Sequence, residues 1–149
     1  MKNFTIITGL LFLLSCTSNK QENKLTGNWY SCAKNGDYIE MFVKDNQYRY
    51  SSNFGTITPW SEFKISGDTL IQFDKHNIED SLFTNKAIIE FVDKKQIRLD
   101  HLTSDETWVF YKIDETIKNN ITDSIILRET MHRSLEINCV DYRTDEEKR

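Results

Sequence analysis

Apolar residues follow three rhythms along the 149-residue chain. The first is an unbroken run, Phe4 to Leu14, which carries no charge and gives way to the polar stretch TSNKQENK, Thr17 to Lys24. The second has a period of two and extends from Leu25 to about Ile113. Alternate side chains of an extended backbone share a face, so this period predicts β-strands. The third, beyond Ile121, is close to helical.

The period-two region divides into about eight segments. NWYSCA opens it at Asn28. DYIEMFV puts Ile39, Met41 and Val43 on one face, KDNQ reads as a turn, and YRYS returns with Tyr48 and Tyr50 together. SNFGTITP is a looser connection, with Gly55 and Pro59 marking a bend or edge. WSEFKISGDTLIQF is the clearest hairpin: Phe63 and Ile65 alternate with Glu62 and Lys64, SGD turns, and Ile71 and Phe73 alternate with Gln72. Beyond the polar loop DKHNIEDS come NKAIIEFVD, QIRLD and TWVFYKI. Their inward sets are Ala87, Ile89 and Phe91, then Ile97 and Leu99. In the last strand, either Trp108 and Phe110 or Val109 and Tyr111 face inward.

Connections this short pair neighbouring strands antiparallel. The prediction is a mainly β fold, a small antiparallel up-and-down eight-stranded barrel with a C-terminal α-helix. Closure removes the exposed edges that eight such strands would leave. A two-sheet sandwich is the alternative. The helix is predicted over residues 122–137, with Ile121, Ile125, Leu127, Met131 and Leu135 at mostly helical spacing. Asp123 is its candidate N-cap, and Glu129 with Arg133 forms an i,i+4 pair. DYRTDEEKR reads as a solvated tail. Residues 25–113 supply the barrel and residues 114–149 the helix and tail of one domain.

Lys2 before the uncharged run makes residues 1–15 an export signal. Eleven residues rise only about 16 Å as a helix, half the ~30 Å hydrocarbon core, so a permanent span is not expected. Leu13-Leu14-Ser15-Cys16 resembles the bacterial lipobox. The resemblance implies diacylation of the Cys16 sulfur, cleavage before that residue, and residues 16–24 as a lipidated tether. Two or three acyl chains hold a membrane where one would not. The expected location is the cell envelope, in the outer membrane where the cell has one, since Thr17 is not the aspartate that resembles an inner-membrane retention signal. Cleavage leaves 134 residues and takes the formal charge from −4 to −5, so there is no basic footprint for nucleic acid.

LTGNWYS, Leu25 to Ser31, resembles the Gly-x-Trp opening of lipocalins and of small lipocalin-like domains in bacterial lipoproteins. The resemblance, which FKISGDTLIQF and TWVFYKI share, implies that Trp29 closes one end of the barrel. The family's arginine against that tryptophan has no counterpart here; the position offers Lys112 and Asp114. With Trp29 inward, eight strands enclose either a solid core or room for one small ligand. For a pocket, Tyr48, Tyr50, Phe63 and Phe73 are the candidate ligand-binding residues: apolar walls carrying hydroxyls.

Cys32 and Cys139 remain after Cys16. An oxidising envelope favours a disulfide, and strand parity turns Cys32 outward, where a packed helix could bring Cys139; two free buried thiols are the alternative. No metal site is expected from these cysteines or from the three histidines. Asp74, His76, Glu79 and Asp80 in one loop read as solvated charge rather than a cation site, lacking the EF-hand spacing and its glycine. No catalytic motif and no cofactor loop is present, so an enzyme is not expected. The functions left are binding a small apolar ligand or lipid, or docking another envelope protein.

Overall fold

The computed structural model describes residues 22, 24–75, 82–114 and 122–149. The leader, Cys16 and the loop containing His76, Glu79 and Asp80 lie outside the described residues. Eight strands follow one another: β1 (Gly27–Cys32), β2 (Tyr38–Lys44), β3 (Gln47–Ser52), β4 (Ser61–Ser66), β5 (Thr69–Lys75), β6 (Leu82–Phe91), β7 (Gln96–His101) and β8 (Thr107–Ile113). Each pairs antiparallel with its sequence neighbour. β1 meets β8 through Asn28–Ile113, Trp29–Lys112 and Tyr30–Tyr111, closing an up-and-down barrel. The helix α1 (Asp123–Ile137) packs outside on β2 and β3.

Tight turns gather at one end. Asp45 and Asn46 both take positive φ in the β2–β3 turn, and Gly67, at φ +63°, turns β4 into β5. Here the interior is solid. Trp29, Met41, Val43, Tyr48, Phe63, Ile65, Leu70, Ala87, Ile89, Ile97 and Leu99 are buried together. Leu25 plugs the base, its carbonyl accepting a 2.8 Å hydrogen bond from the Trp29 indole Nε1. Lys112 lies across the indole at 5.1 Å. Lysine thus covers Trp29, at the position where the lipocalin resemblance would place an arginine. Glu22 and Lys24, assigned by sequence to the tether, already touch the barrel: Glu22 accepts from the Ile65 amide and Lys24 sits 5.5 Å over Phe91.

The inward set on β5 departs from the sequence reading. Leu70 and Gln72 are buried inside, whereas Ile71 and Phe73 belong to the other face. The cause is turn length. A two-residue turn pairs Ser66 with Thr69, so Ile65 faces Leu70 and Phe63 faces Gln72. Odd positions on β4 therefore match even positions on β5. Phe73 pairs with Glu62, and the Lys64 ammonium lies 5.6 Å over its ring. In β8 the inner positions are Trp108, Phe110 and Lys112, which decides the alternative left open by periodicity.

The helix also presents a different face from the one its apolar pattern marks. Thr122 is the N-cap, without a side-chain hydrogen bond, and Asp123 begins the first turn. Ile126 and Thr130 are the buried helical residues, while Met131 and Leu135 are exposed. Glu40, on the outer side of β2, explains this. It is completely buried and takes Arg133 as its partner, at 2.6 Å from Nε to Oε1 and 2.9 Å from Nη2 to Oε2. The Thr130 hydroxyl donates to it at 2.9 Å and the Tyr38 hydroxyl at 2.8 Å. The expected Glu129–Arg133 pair is therefore replaced; Glu129 pairs with Arg128. Burial, reinforced by the Glu40 carboxylate, pushes the Tyr38 hydroxyl far above its usual range.

The helix is fastened at both ends as well. The buried Arg49 guanidinium holds Asp123 at 2.8 Å and lies 4.5 Å over the Trp60 ring. A Cys32–Cys139 disulfide, with Cα atoms 5.5 Å apart, ties the far end to β1. The tail beyond is largely exposed, as a solvated tail would be, yet it is pinned to the β1–β2 loop. Asn35 bridges Asp141, the Tyr142 amide donates to the Lys34 carbonyl at 2.8 Å, and Lys34 pairs with Glu147. Gly36, at φ +86°, permits this approach; a Cβ there would lie 3.1 Å from the Asp141 nitrogen.

Candidate functional site

The longer connections, β1–β2, β3–β4 and β7–β8, lie at the end opposite Trp29. There the barrel opens into a cavity of about 410 Å³. Its size follows from what the strands contribute near their upper ends. The lower interior holds large rings and branched aliphatics; the upper positions are Ile39, Tyr50, Ser52, Gln72, Asn85 and His101. Trp108 and Phe110 of β8 form an aromatic wall, their rings stacked at 6.2 Å. The barrel is therefore solid below and hollow above, combining the two interiors that the sequence left as alternatives.

The β3–β4 seam shapes the cup. β4 pairs with β3 only at Gln47–Glu62 and Tyr48–Ser61. Above that point the loop folds back on β3: the Tyr50 amide donates to Thr58 Oγ1 at 2.8 Å, the Thr58 amide to the Tyr50 carbonyl at 2.9 Å, and the Ser52 amide to the Thr56 carbonyl at 2.9 Å. The loop, rather than a strand, thus supplies Thr56 and Thr58 to the rim. Inside, the Gln72 amide nitrogen donates to the Tyr50 hydroxyl at 2.8 Å, a bond from β5 to β3 past the short β4 that holds the phenol in place. Gln72 is buried, and its polar head is accommodated because the space above it is the cavity and not packed core. At the rim, the Trp108 indole donates to Glu106 at 3.4 Å and the Thr103 hydroxyl reaches Asn85 at 3.5 Å.

An adjoining groove of about 610 Å³ opens between the β1–β2 and β7–β8 loops. It shares Ile39, Glu106 and Trp108 with the cup and is walled by Asp37, Asp105 and Arg143. Arg143 holds Asp141 through two nitrogens, which draws the Asp141 carboxyl down to about 2. Lys34 does the same to Glu147, also to about 2. The docked tail is therefore an ordered side of this groove.

Of the four residues named from sequence for a pocket, only Tyr50 lines the cavity. Tyr48 and Phe63 are buried in the core beneath it, joined edge to face at 6.4 Å. Phe73 is on the other face of β5 and cannot reach a ligand inside. Gln72, Asn85, His101 and Trp108 were missed because polar and ambiguous positions carry no apolar period. The two-residue turn was the signal that could have found Gln72. Among the described residues, no three His, Cys, Asp or Glu side chains gather as a metal site.

Neither a protein-family model, nor a curated protein, nor a solved structure matches this chain. The cavity must therefore be interpreted from its own chemistry. Its walls can stack a flat apolar surface on Trp108 and Phe110 while the Tyr50, Gln72 and Asn85 heads meet polar edges.

Proposed function

We propose that this is a lipid-anchored cell-envelope protein whose lipocalin-like barrel binds one small molecule in its mouth. The observation that carries the reading is the cavity itself. A volume of about 410 Å³ lies within the range that holds one small ligand, and it opens above a base plugged by Leu25 and Trp29. The Cys32–Cys139 disulfide supports an oxidising compartment. The lipobox-like Leu13-Leu14-Ser15-Cys16 supports acylation there. Gly27-x-Trp29, with Lys112 over the indole, supports the lipocalin-like assignment.

Native mass spectrometry after mild extraction tests the binding half: an adduct lost on Gln72→Trp substitution supports it. Repeated spectra of the bare protein, with no small-molecule probe retained, would refute it. Labelling with palmitate tests the anchor separately; wild type takes the label and Cys16→Ser does not. An unlabelled wild type rejects lipidation.

A second reading, docking of another envelope protein, rests on Leu135, 82% exposed, and on the exposed Met131 one turn before it. Crosslinking in intact cells discriminates, since a specific partner lost on Leu135→Glu favours it. Deleting the helix would be uninformative because it strips the cover from the outer sides of β2 and β3 and removes the Thr130 and Arg133 partners of Glu40.

A further inference from the structure

We propose that the mouth cavity selects an uncharged ligand, with one apolar ring face and a hydrogen-bonding edge, and discriminates against anions. This rests on the cavity being a ligand site, as proposed above, and adds what that site accepts. Among its described lining residues there is no lysine or arginine. The ring wall of Trp108 and Phe110 asks for a flat apolar surface, and the groups around it, from Tyr50, Gln72, Asn85 and Thr103, are neutral donors and acceptors. The ionisable groups in the described lining are the His101 imidazole and the Glu106 carboxylate, the latter held at the rim by the Trp108 indole.

The surroundings extend the same pattern. The adjoining groove adds Asp37 and Asp105, while its two cations are already engaged, Lys34 by Glu147 and Arg143 by Asp141. A ligand carboxylate or sulfonate entering the cup would lose water without meeting a lysine or arginine, would find the His101 imidazole as its single basic neighbour among the described lining residues, and would meet Glu106 on the way in. Burying an anion unpaired is among the costliest changes a site can ask of a ligand. A neutral hydroxyl, amine or amide loses less water and finds partners that match it.

Two fluorescent probes with the same ring system isolate the charge: N-phenyl-1-naphthylamine, which is neutral, and 1-anilinonaphthalene-8-sulfonate, which is anionic. Each is titrated into the disulfide-intact protein, and energy transfer from tryptophan reports occupancy. The neutral probe should bind at least about tenfold more tightly. Asn85→Arg, which sets a cation in the wall, should narrow or reverse that ratio, an effect that a loss of packing alone would not produce. Sulfonate binding equal to or tighter than that of the neutral probe overturns the inference and leaves the cavity reading standing. A ratio unmoved by Asn85→Arg places the probes elsewhere and overturns it too. Binding of neither probe removes the ligand reading, and the charge preference falls with it.

Discussion

Replacing Arg133 by methionine tests what fastens the helix to the barrel. Methionine keeps a long unbranched side chain and good helix propensity, so the helix itself is little perturbed. What is lost is the pair of charge-assisted hydrogen bonds, at 2.6 and 2.9 Å, to a carboxylate that is completely buried. The Tyr38 and Thr130 hydroxyls remain, but neither carries charge. Removing one partner of a buried pair typically costs about 3–5 kcal/mol. Arg133 is 12% exposed, so water reaches part of the site and about 3 kcal/mol is expected. For a domain of this length that lowers Tm by roughly 10–15 °C.

Urea and thermal unfolding with the disulfide intact measure the loss, and a double-mutant cycle with Glu40→Gln isolates the pair. The amide that Glu40→Gln introduces should still meet the two hydroxyls, so the double variant should recover more than about 1.5 kcal/mol relative to additivity. A loss under about 1 kcal/mol in Arg133→Met, or strict additivity with Glu40→Gln, would refute the argument.

Phe63→Ala should cost about 3–5 kcal/mol and Phe73→Ala roughly 1, because Phe63 is in the core and Phe73 on the outer face; equal losses in urea melts would contradict the β5 register. Reducing the Cys32–Cys139 bond, or Cys139→Ser, should lower stability by about 2–4 kcal/mol, since it releases a loop spanning 107 positions; an unchanged midpoint would argue against a constraint on the unfolded chain. Acid should undock the tail before the barrel melts. Asp141 and Glu147 are depressed from 3.8 and 4.5 to about 2, so their contribution is whole above the unfolded values and disappears as pH falls toward 2. Amide exchange at residues 141–147 should accelerate across that window with the strands still protected. Trp29→Ala should cost about 3–5 kcal/mol through lost burial and the lost bond to the Leu25 carbonyl, read as a drop in the urea midpoint, with no loss expected in neutral-probe binding per folded molecule.

The barrel was legible because its strands alternate and its turns are short. TWVFYKI forms β8 at the predicted bounds, and Asp45-Asn46 makes the turn that KDNQ indicated. Periodicity reports that alternate residues share a face, not which faces meet across a turn. Phe73 was misplaced for that reason, and Trp108 could not be decided. The helix face was hidden by a different effect. Glu40 alternates with Ile39, Met41 and Val43, which point the other way, and nothing near it in sequence shows that Arg133, 93 positions on, neutralises it. The cavity was the least legible feature, since a hollow is defined by side chains too short to fill it and leaves no mark on hydropathy.

The backbone enters the barrel at its plugged base, where Glu22 and Lys24 lie against it. Acyl chains on Cys16, six residues upstream, would leave a leash of at most about 20 Å. Leu25 and Trp29 would then look down on the bilayer, and the cup would stand upright with its opening turned to the water beyond. So mounted, the protein would not skim molecules from the leaflet that holds it. It would wait for what diffuses past, and cargo from its own membrane would have to come off the surface before it could be caught.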